Sequence, residues 1–120
     1  MKLSLVSIEK EGFIRVATEG NITGTDFQID NKNPLEQILG ATWSSNRVLL
    51  SMERTQYIDS TGIGWLISCH KEFKANGGAF VVYSVQPQVR QVLDLLKIGK
   101  VVPILENETA ARAFVIGAGT

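Results

Sequence analysis

Apolar and polar positions alternate at the start of the chain. Residues 3–9, with the sequence Leu-Ser-Leu-Val-Ser-Ile-Glu, alternate roughly one by one, which is the pattern of a half-buried β-strand. A turn over residues 10–12 ends in a glycine, and residues 13–18 predict a second strand with the sequence Phe-Ile-Arg-Val-Ala-Thr. Because the connection between the two strands is short, we expect them to pair as an antiparallel hairpin.

The rest of the chain alternates compact apolar runs, which are typical of buried strands, with segments of helical spacing. Residues 20–33 are rich in Gly, Thr, Asp and Asn and predict a loop. Helices are predicted over residues 34–39, from about 61 to 75, from 86 to Gly99 and over 106–115, and strands over 47–52, 79–84 and 101–104. In the third of these helices Val89, Val92, Leu93 and Leu96 fall at i, i+3, i+4 and i+7, so we expect one buried stripe.

This order of elements predicts the fold class. Strands that are linked by crossover helices run parallel, and the strand over residues 79–84 is too apolar to face solvent. We therefore expect an α/β fold with a mixed, mostly parallel β-sheet that has an N-terminal hairpin and is covered by helices. Since 120 residues is near the commonest size of one compact domain, we assign residues 1–120 to a single domain.

Composition and charge narrow the classes of function. The chain has 12 basic and 12 acidic residues, so no strong electrostatic field favours nucleic acid or an anionic membrane. No apolar run approaches the ~20 residues needed to cross a bilayer, and the first ten residues lack a signal-peptide core. The single cysteine, Cys69, cannot form an internal disulfide, which suits a reducing compartment. We expect a soluble cytoplasmic protein that binds no nucleic acid directly and does not insert into a membrane.

The candidate functional segment covers residues 58–64, with the sequence Ile-Asp-Ser-Thr-Gly-Ile-Gly. It follows a buried strand and leads into a helix, which is the usual position of functional loops in α/β sheets. Asp59 or Ser60 can cap that helix by accepting a hydrogen bond from an unpaired backbone N–H. Gly62 and Gly64 each cost roughly 1 kcal/mol relative to alanine, so they indicate close approach of a packed strand or of a partner. From these residues alone, the segment is either a strong helix cap or a binding site.

The sequence offers little support for catalysis or metal binding. Ser60 has no general base beside it, and the chain lacks a Gly-x-Ser-x-Gly elbow, a phosphate-loop motif and paired-cysteine zinc spacing. We therefore expect neither an enzyme nor a bound cofactor or metal. The single histidine, His70, and Cys69 fall in the apolar arc of a predicted helix and are expected to be structural. Trp43 is expected to pack, whereas Trp65, at the edge of that arc, suits either packing or binding.

Three segments make the sequence similar to the STAS domains, a family named for sulphate transporters and anti-sigma factor antagonists. The specific match runs from residues 48–51 through 57–66, around the Asp-Ser-Thr-Gly core. Supporting matches lie at residues 18–23 and 76–83, with 89–96 beyond. The resemblance covers nearly the full chain and implies a STAS-like fold.

Within this family the sequence resembles the bacterial anti-sigma factor antagonists, or anti-anti-sigma factors, which implies a regulatory protein. In those proteins the serine directly after the aspartate is phosphorylated by an anti-sigma factor serine kinase; here it is Ser60, with Thr61 as the alternative acceptor. The unmodified protein binds the kinase, phosphorylation switches this binding off, and a PP2C-type phosphatase restores it. The partner-binding residues that the resemblance implies are Asn21, Thr23, Asp59, Ser60, Thr61, Gly62, Ile63 and Trp65.

Two of these positions depart from the family pattern. The family often has an acidic residue at the position of Asn21 and an aspartate at that of Thr23, in a loop thought to help contact the kinase. The resemblance therefore specifies the site better than the partner. Since STAS domains also serve stressosome-like assemblies and membrane transporter complexes, the alternative function is a scaffold or an accessory subunit of a stressosome-like or lipid-transport ABC complex.

Overall fold

The elements expected from the sequence are present, several with shifted ends. The computed structural model describes residues 1–27 and 33–118. Its strands are β1 (Lys2–Ile8), β2 (Phe13–Glu19), β3 (Arg47–Arg54), β4 (Ala79–Tyr83) and β5 (Ile104–Leu105). Its helices are α1 (Pro34–Leu39), α2 (Ser60–Ala75), α3 (Pro87–Leu95) and α4 (Glu108–Ala118), and 3-10 helices cover Gly24–Phe27, Trp43–Ser45 and Ile98–Lys100. Within these described ranges, no helix combines the length and apolar character needed to span a membrane.

The strands form one sheet in the order of the sequence. β1 pairs antiparallel with β2, while β2, β3, β4 and β5 pair parallel with one another. In the hairpin turn the Glu9 N–H donates to the Phe13 carbonyl at 2.8 Å, and Gly12 adopts a φ of +91°. Glycine tolerates this φ because it has no Cβ. The predicted α/β class, with its mixed sheet and N-terminal hairpin, is confirmed.

Helices cover both faces of the sheet because successive residues of a strand point to opposite sides. Val48, Leu50 and Met52 of β3 point to the face that carries α1, α2 and α3, where the larger core cluster lies. Leu49 points the other way, into a second cluster with Val115 of α4. α4 packs mainly on β3, β4 and β5. The sheet therefore anchors the start of α2 on one face and leaves part of the other face without a helix.

The prediction of a buried stripe on α3 is half wrong. Val89 and Leu93 are buried, but Val92 is 38% and Leu96 55% exposed. The helix ends at Leu95, and Lys97 takes a left-handed φ of 57°. Leu96 is therefore the C-cap, where the chain leaves the helix, and its side chain stays at the solvent edge together with that of Val92.

The predicted strand over residues 101–104 is displaced to Ile104–Leu105. The N–H groups of Val101 and Val102 both donate to the Ile98 carbonyl, at 2.9 and 2.8 Å, so these residues close a turn. β5 lies at the edge of the sheet, where a nearby proline is tolerated. α4 also begins two residues later than predicted, because Asn107 Oδ1 accepts a hydrogen bond from the Ala110 N–H at 2.9 Å and caps the helix there.

The segment predicted as a loop over residues 20–33 has regular structure in its first part. Ile22 forms a parallel bridge with Ile58, and Gly24–Phe27 forms a 3-10 helix. A bridge of one residue leaves no periodic signal in a sequence, so pattern analysis missed it. The part of this prediction that concerns residues 28–32 lies outside the described residues.

Candidate functional site

Asp59 determines where α2 begins. Its backbone is extended, with φ −96° and ψ −178°, and its Oδ1 accepts a hydrogen bond from the Gly62 N–H at 2.9 Å. This is an N-cap, in which a side-chain oxygen satisfies a backbone donor that the helix leaves unpaired. The helix therefore starts at Ser60, one residue earlier than predicted, and Asp59 rather than Ser60 is the cap.

The second carboxylate oxygen of Asp59 holds a segment distant in sequence. Oδ2 accepts a hydrogen bond from the Gly24 N–H at 2.9 Å, and the Asp59 N–H donates to the Ile22 carbonyl at 3.1 Å. The hydrogen bonds from the Gly62 and Gly24 backbone lower the pKa of Asp59 below its ordinary value of 3.8, since they stabilise the ionised form. An ionised carboxylate thus joins the turn after β2 to the start of α2.

Ser60 and Thr61 both lie on the exposed side of α2, but their surroundings differ. Among the described residues, the Ser60 hydroxyl has no hydrogen-bond partner. Thr61 faces the turn at Gly24, where a Cβ placed on the glycine would lie 3.4 Å from Thr61 Oγ1. Both predicted acceptors are thus exposed, and Thr61 differs in lying next to the turn at Gly24.

The two glycines of this turn have different surroundings. A Cβ at Gly62 would lie 2.7 Å from Ile58 Cγ1 and 2.8 Å from Ile22 Cγ2. A Cβ at Gly64 would meet nothing within 4 Å, and this residue is exposed. Of the two interpretations of the sequence, the packed strand explains Gly62, whereas Gly64 presents bare backbone at the surface.

Ile63 and Trp65, which the sequence assigned to partner binding, lie mostly beneath the surface. Each is 6% exposed. The Trp65 indole N–H donates to Asn33 Oδ1 at 3.1 Å, and its ring lies 5.5 Å from that of Phe27. Both residues shape the site from below, and Trp65 packs against Phe27. Their contribution to partner binding stays a prediction.

A groove runs beside the exposed side of α2. Its volume is about 360 Å³, and its lining includes Thr61, Gly64 and Ser68 of α2, with Phe27 and Asn33 opposite. Sequence reasoning missed Ser68 and Phe27. The signal for Ser68 was available, because positions 60, 64 and 68 repeat every four residues and so share one helix face.

Asn21 and Thr23 are brought to the same end of the sheet, because Ile22 between them pairs with Ile58. Asn21 is exposed. The Thr23 N–H donates to Asp26 Oδ2 at 2.8 Å, and its Oγ1 lies 2.9 Å from that of Thr25. The structure thus places Asn21, Thr23, Asp59, Ser60, Thr61 and Gly64 around one surface.

The side chains around Ser60 do not form a nucleophile with a base. Asp59 adjoins it, but both of its oxygens accept backbone N–H groups and its pKa is lowered, so it is a poor proton acceptor. His70 lies ten residues further along α2, about 15 Å by the helical rise. Burial lowers the pKa of His70, and Lys74 lowers it further. No cluster of three metal-ligating side chains occurs within residues 1–27 and 33–118.

The structural interpretations of Cys69 and Trp43 are confirmed. Cys69 is fully buried, and burial raises the pKa of its thiol to about 12. Trp43 packs edge-to-face on Phe73 with ring centroids 5.2 Å apart.

The sequence is similar to proteins of known family. A protein-family model for the STAS domain matches residues 6–111. The anti-sigma F factor antagonist of Paenibacillus polymyxa is 34% identical over 64 residues, which are 53% of this chain and 55% of that protein. The match thus spans about half the length of this curated relative.

Solved structures share the fold at low sequence identity. An anti-sigma-factor antagonist (STAS) domain protein from Planctomyces limnophilus has a TM-score of 0.72 at 18% identity, and the match covers 98% of both chains. The Bacillus cell fate determinant SpoIIAA in its phosphorylated form has a TM-score of 0.63 at 17% identity, over 94% of this chain and 99% of that one. At these identities the likeness shows the fold alone.

Proposed function

This chain belongs to the STAS domain family, and from that membership we propose that it is an anti-sigma factor antagonist controlled by phosphorylation of Ser60. In its unmodified state it binds an anti-sigma factor serine kinase through the surface around Ser60. Phosphorylation of Ser60 ends this binding, and a PP2C-type phosphatase restores it. The protein acts in the cytoplasm and is not an enzyme.

The observation that carries the proposal is the exposed Ser60 hydroxyl on the first residue of α2, next to a helix cap that holds its backbone in place. A kinase needs a hydroxyl that can reach its active site, and Ser60 has no competing intramolecular partner in the described part of the chain. The 34% identity to an anti-sigma F factor antagonist supports the same class of function.

Electrostatics explain how one phosphate can act as a switch. A phosphoserine carries about −1.5 to −2 charges at neutral pH. At position 60 it would adjoin the ionised Asp59 carboxylate, and the first turn of α2 contains no basic side chain to neutralise it. The helix N-terminus offers partial compensation. A partner surface that fits the neutral hydroxyl would therefore meet unbalanced negative charge and lose affinity.

The groove beside Ser60 supports a protein partner on this surface. Gly64 leaves room for a partner's main chain to approach α2 to within contact distance, and the rim includes Thr61 and Ser68. A leucine at position 64 would project into that space from an exposed helix position, where its Cβ meets no neighbour within 4 Å; circular dichroism of the variant checks that it folds.

The experiment combines phosphorylation with binding. The protein and a serine kinase of the anti-sigma type from the same organism are incubated with ATP, and the phosphate is mapped by mass spectrometry. We expect one phosphate on Ser60, lost in Ser60→Ala and kept in the matched variant Thr61→Ala. Kinase binding should fall at least tenfold for Ser60→Asp and for Gly64→Leu.

Phosphate on Thr61 alone, or phosphorylation that survives Ser60→Ala, would sink the proposal. Stable co-purification with an ABC-type ATPase, together with no phosphorylation, would instead support the scaffold or accessory-subunit function.

A further inference from the structure

The part of the sheet that α4 leaves open contains a cleft of about 450 Å³, within the usual size of small-molecule sites of roughly 300–1,000 Å³. Its floor is one row of residues across four strands. Ser4 lies opposite Ala17, Ala17 opposite Ser51, and Ser51 opposite Tyr83. Three small side chains in adjacent strands create the space, and the larger Tyr83 closes the row.

Tyr83 brings a polar group to the cleft that has no partner. The residue is 4% exposed and lines the cleft, and its hydroxyl forms no hydrogen bond within the residues that the structure describes. The hydroxyl is not among the buried side-chain atoms that lack a partner, so it is open to the cleft and can bond to a ligand there. Ser84, the next lining residue, holds a left-handed φ of 55°, an unfavourable conformation for a residue with a Cβ. Such strain is concentrated at functional positions.

The charged residues of the lining determine which ligands fit. They are two arginines and three glutamates, Arg15, Arg54, Glu19, Glu53 and Glu108, so the lining carries a net charge of −1. Glu108 is engaged, since Arg15 Nη2 donates to it at 2.6 Å. Arg54 and Glu19 are exposed and only 4.0 Å apart at their closest atoms. Glu53 has no ion pair among the described residues.

We propose that this cleft binds a free α-amino acid with a polar side chain. The unpaired Glu53 carboxylate receives the ligand's ammonium group, Arg54 receives its carboxylate, and the Tyr83 hydroxyl bonds to its side chain. Because carboxylates outnumber guanidiniums in the lining, the cleft favours a zwitterion over a ligand with several phosphate charges. The cleft lies on the face opposite α2, so this site is distinct from the surface around Ser60.

The test is a titration of the full chain with each of the twenty amino acids, followed by the backbone amide signals in two-dimensional NMR. We expect saturable shifts at Ser51, Tyr83 and Ser84 for at least one polar amino acid. Glu53→Gln should weaken that binding at least tenfold, and Ser51→Leu should abolish it by filling the floor. Glu72→Gln, which removes an exposed carboxylate on α2, is the matched control and should leave binding unchanged.

Three outcomes would overturn the proposal: no saturable binding by any of the twenty amino acids, binding that Glu53→Gln leaves intact, or saturable binding of inorganic phosphate at the same amides. Because Glu53→Gln is a single exposed change, it keeps the test valid even if Ser51→Leu fails to fold. We expect Glu53→Gln to leave kinase binding unchanged, because Glu53 lines the cleft on the face opposite α2, so the two proposals fail or stand separately.

Discussion

The two glycines near the start of α2, Gly62 and Gly64, should respond in opposite directions to the same substitution. At position 62 an alanine Cβ would lie 2.7 Å from Ile58 Cγ1, 2.8 Å from Ile22 Cγ2 and 2.9 Å from the Ile22 carbonyl oxygen. At position 64 it would meet nothing within 4 Å. The contacts at Gly62 cannot relax easily, because the Ile22 backbone is held by hydrogen bonds to Tyr57 and Asp59 at 2.9 and 3.1 Å.

The size of each effect follows from two opposing contributions. Helix propensity alone makes glycine-to-alanine stabilising by up to about 1 kcal/mol. Overpacking of a closely packed site costs about 1–3 kcal/mol, and only position 62 incurs it. We expect Gly62→Ala to lower the free energy of unfolding by about 1–2 kcal/mol, and Gly64→Ala to raise it by up to about 1 kcal/mol.

Urea unfolding followed by circular dichroism measures both variants against the wild type, with linear extrapolation to water. The dependence of the free energy of unfolding on urea concentration should be the same for all three proteins, so the urea concentration at the midpoint alone reports the change in stability. If Gly62→Ala is as stable as the wild type, or if both variants shift in the same direction, then Ile22 does not pack against α2 as described.

Three further predictions concern single side chains. Asp59 has a lowered pKa, so its stabilising contribution is complete above its ordinary value of 3.8 and is lost as the pH falls through the lower value of the folded state. Below about pH 4 the free energy of unfolding should therefore fall more steeply with decreasing pH for the wild type than for Asp59→Asn. Parallel plots of this free energy against pH would refute the assignment. The Cys69 thiol is buried with a pKa of about 12, so a thiol reagent at pH 8 should react only as denaturant unfolds the protein, and rapid reaction with the native protein would contradict the assigned burial. The hydroxyls of Thr18 and Thr55 form a buried pair at 2.6 Å; Thr55→Val should cost about 1–2 kcal/mol in urea unfolding, and a double-mutant cycle with Thr18→Val that shows no coupling would count against the pair.

Patterns within short stretches of sequence were enough to predict most of the fold. The hairpin follows from alternation over residues 3–18 and a glycine turn, and the parallel sheet follows from apolar runs separated by helices. The cap of α2 was also predictable as a site, because Asp59 and the Gly62 N–H that it accepts are only three residues apart. Such features depend on neighbours along the chain, which a sequence displays directly.

Predictions that depended on an unrecognised turn were less accurate. The stripe on α3 was extended to Leu96, because periodicity does not show that Lys97 reverses the chain. The strand expected at residues 101–104 was placed too early for a similar reason, since apolar valines occur equally in a turn. In both cases the deciding hydrogen bonds lie within a turn whose residues have no distinctive composition.

Sequence alone determined that this chain forms a mixed α/β sheet, that Ser60 stands at a helix start, and that the surrounding segment resembles the STAS signature. Only the tertiary structure decided that Asp59 also holds Gly24, 35 residues away, that Gly62 is required by Ile22, and that Ser4, Ala17 and Ser51 line one cleft. The physical reason is the same each time. Helix caps and strand alternation arise between residues a few positions apart, whereas close packing and clefts depend on which strands become neighbours after the chain has folded.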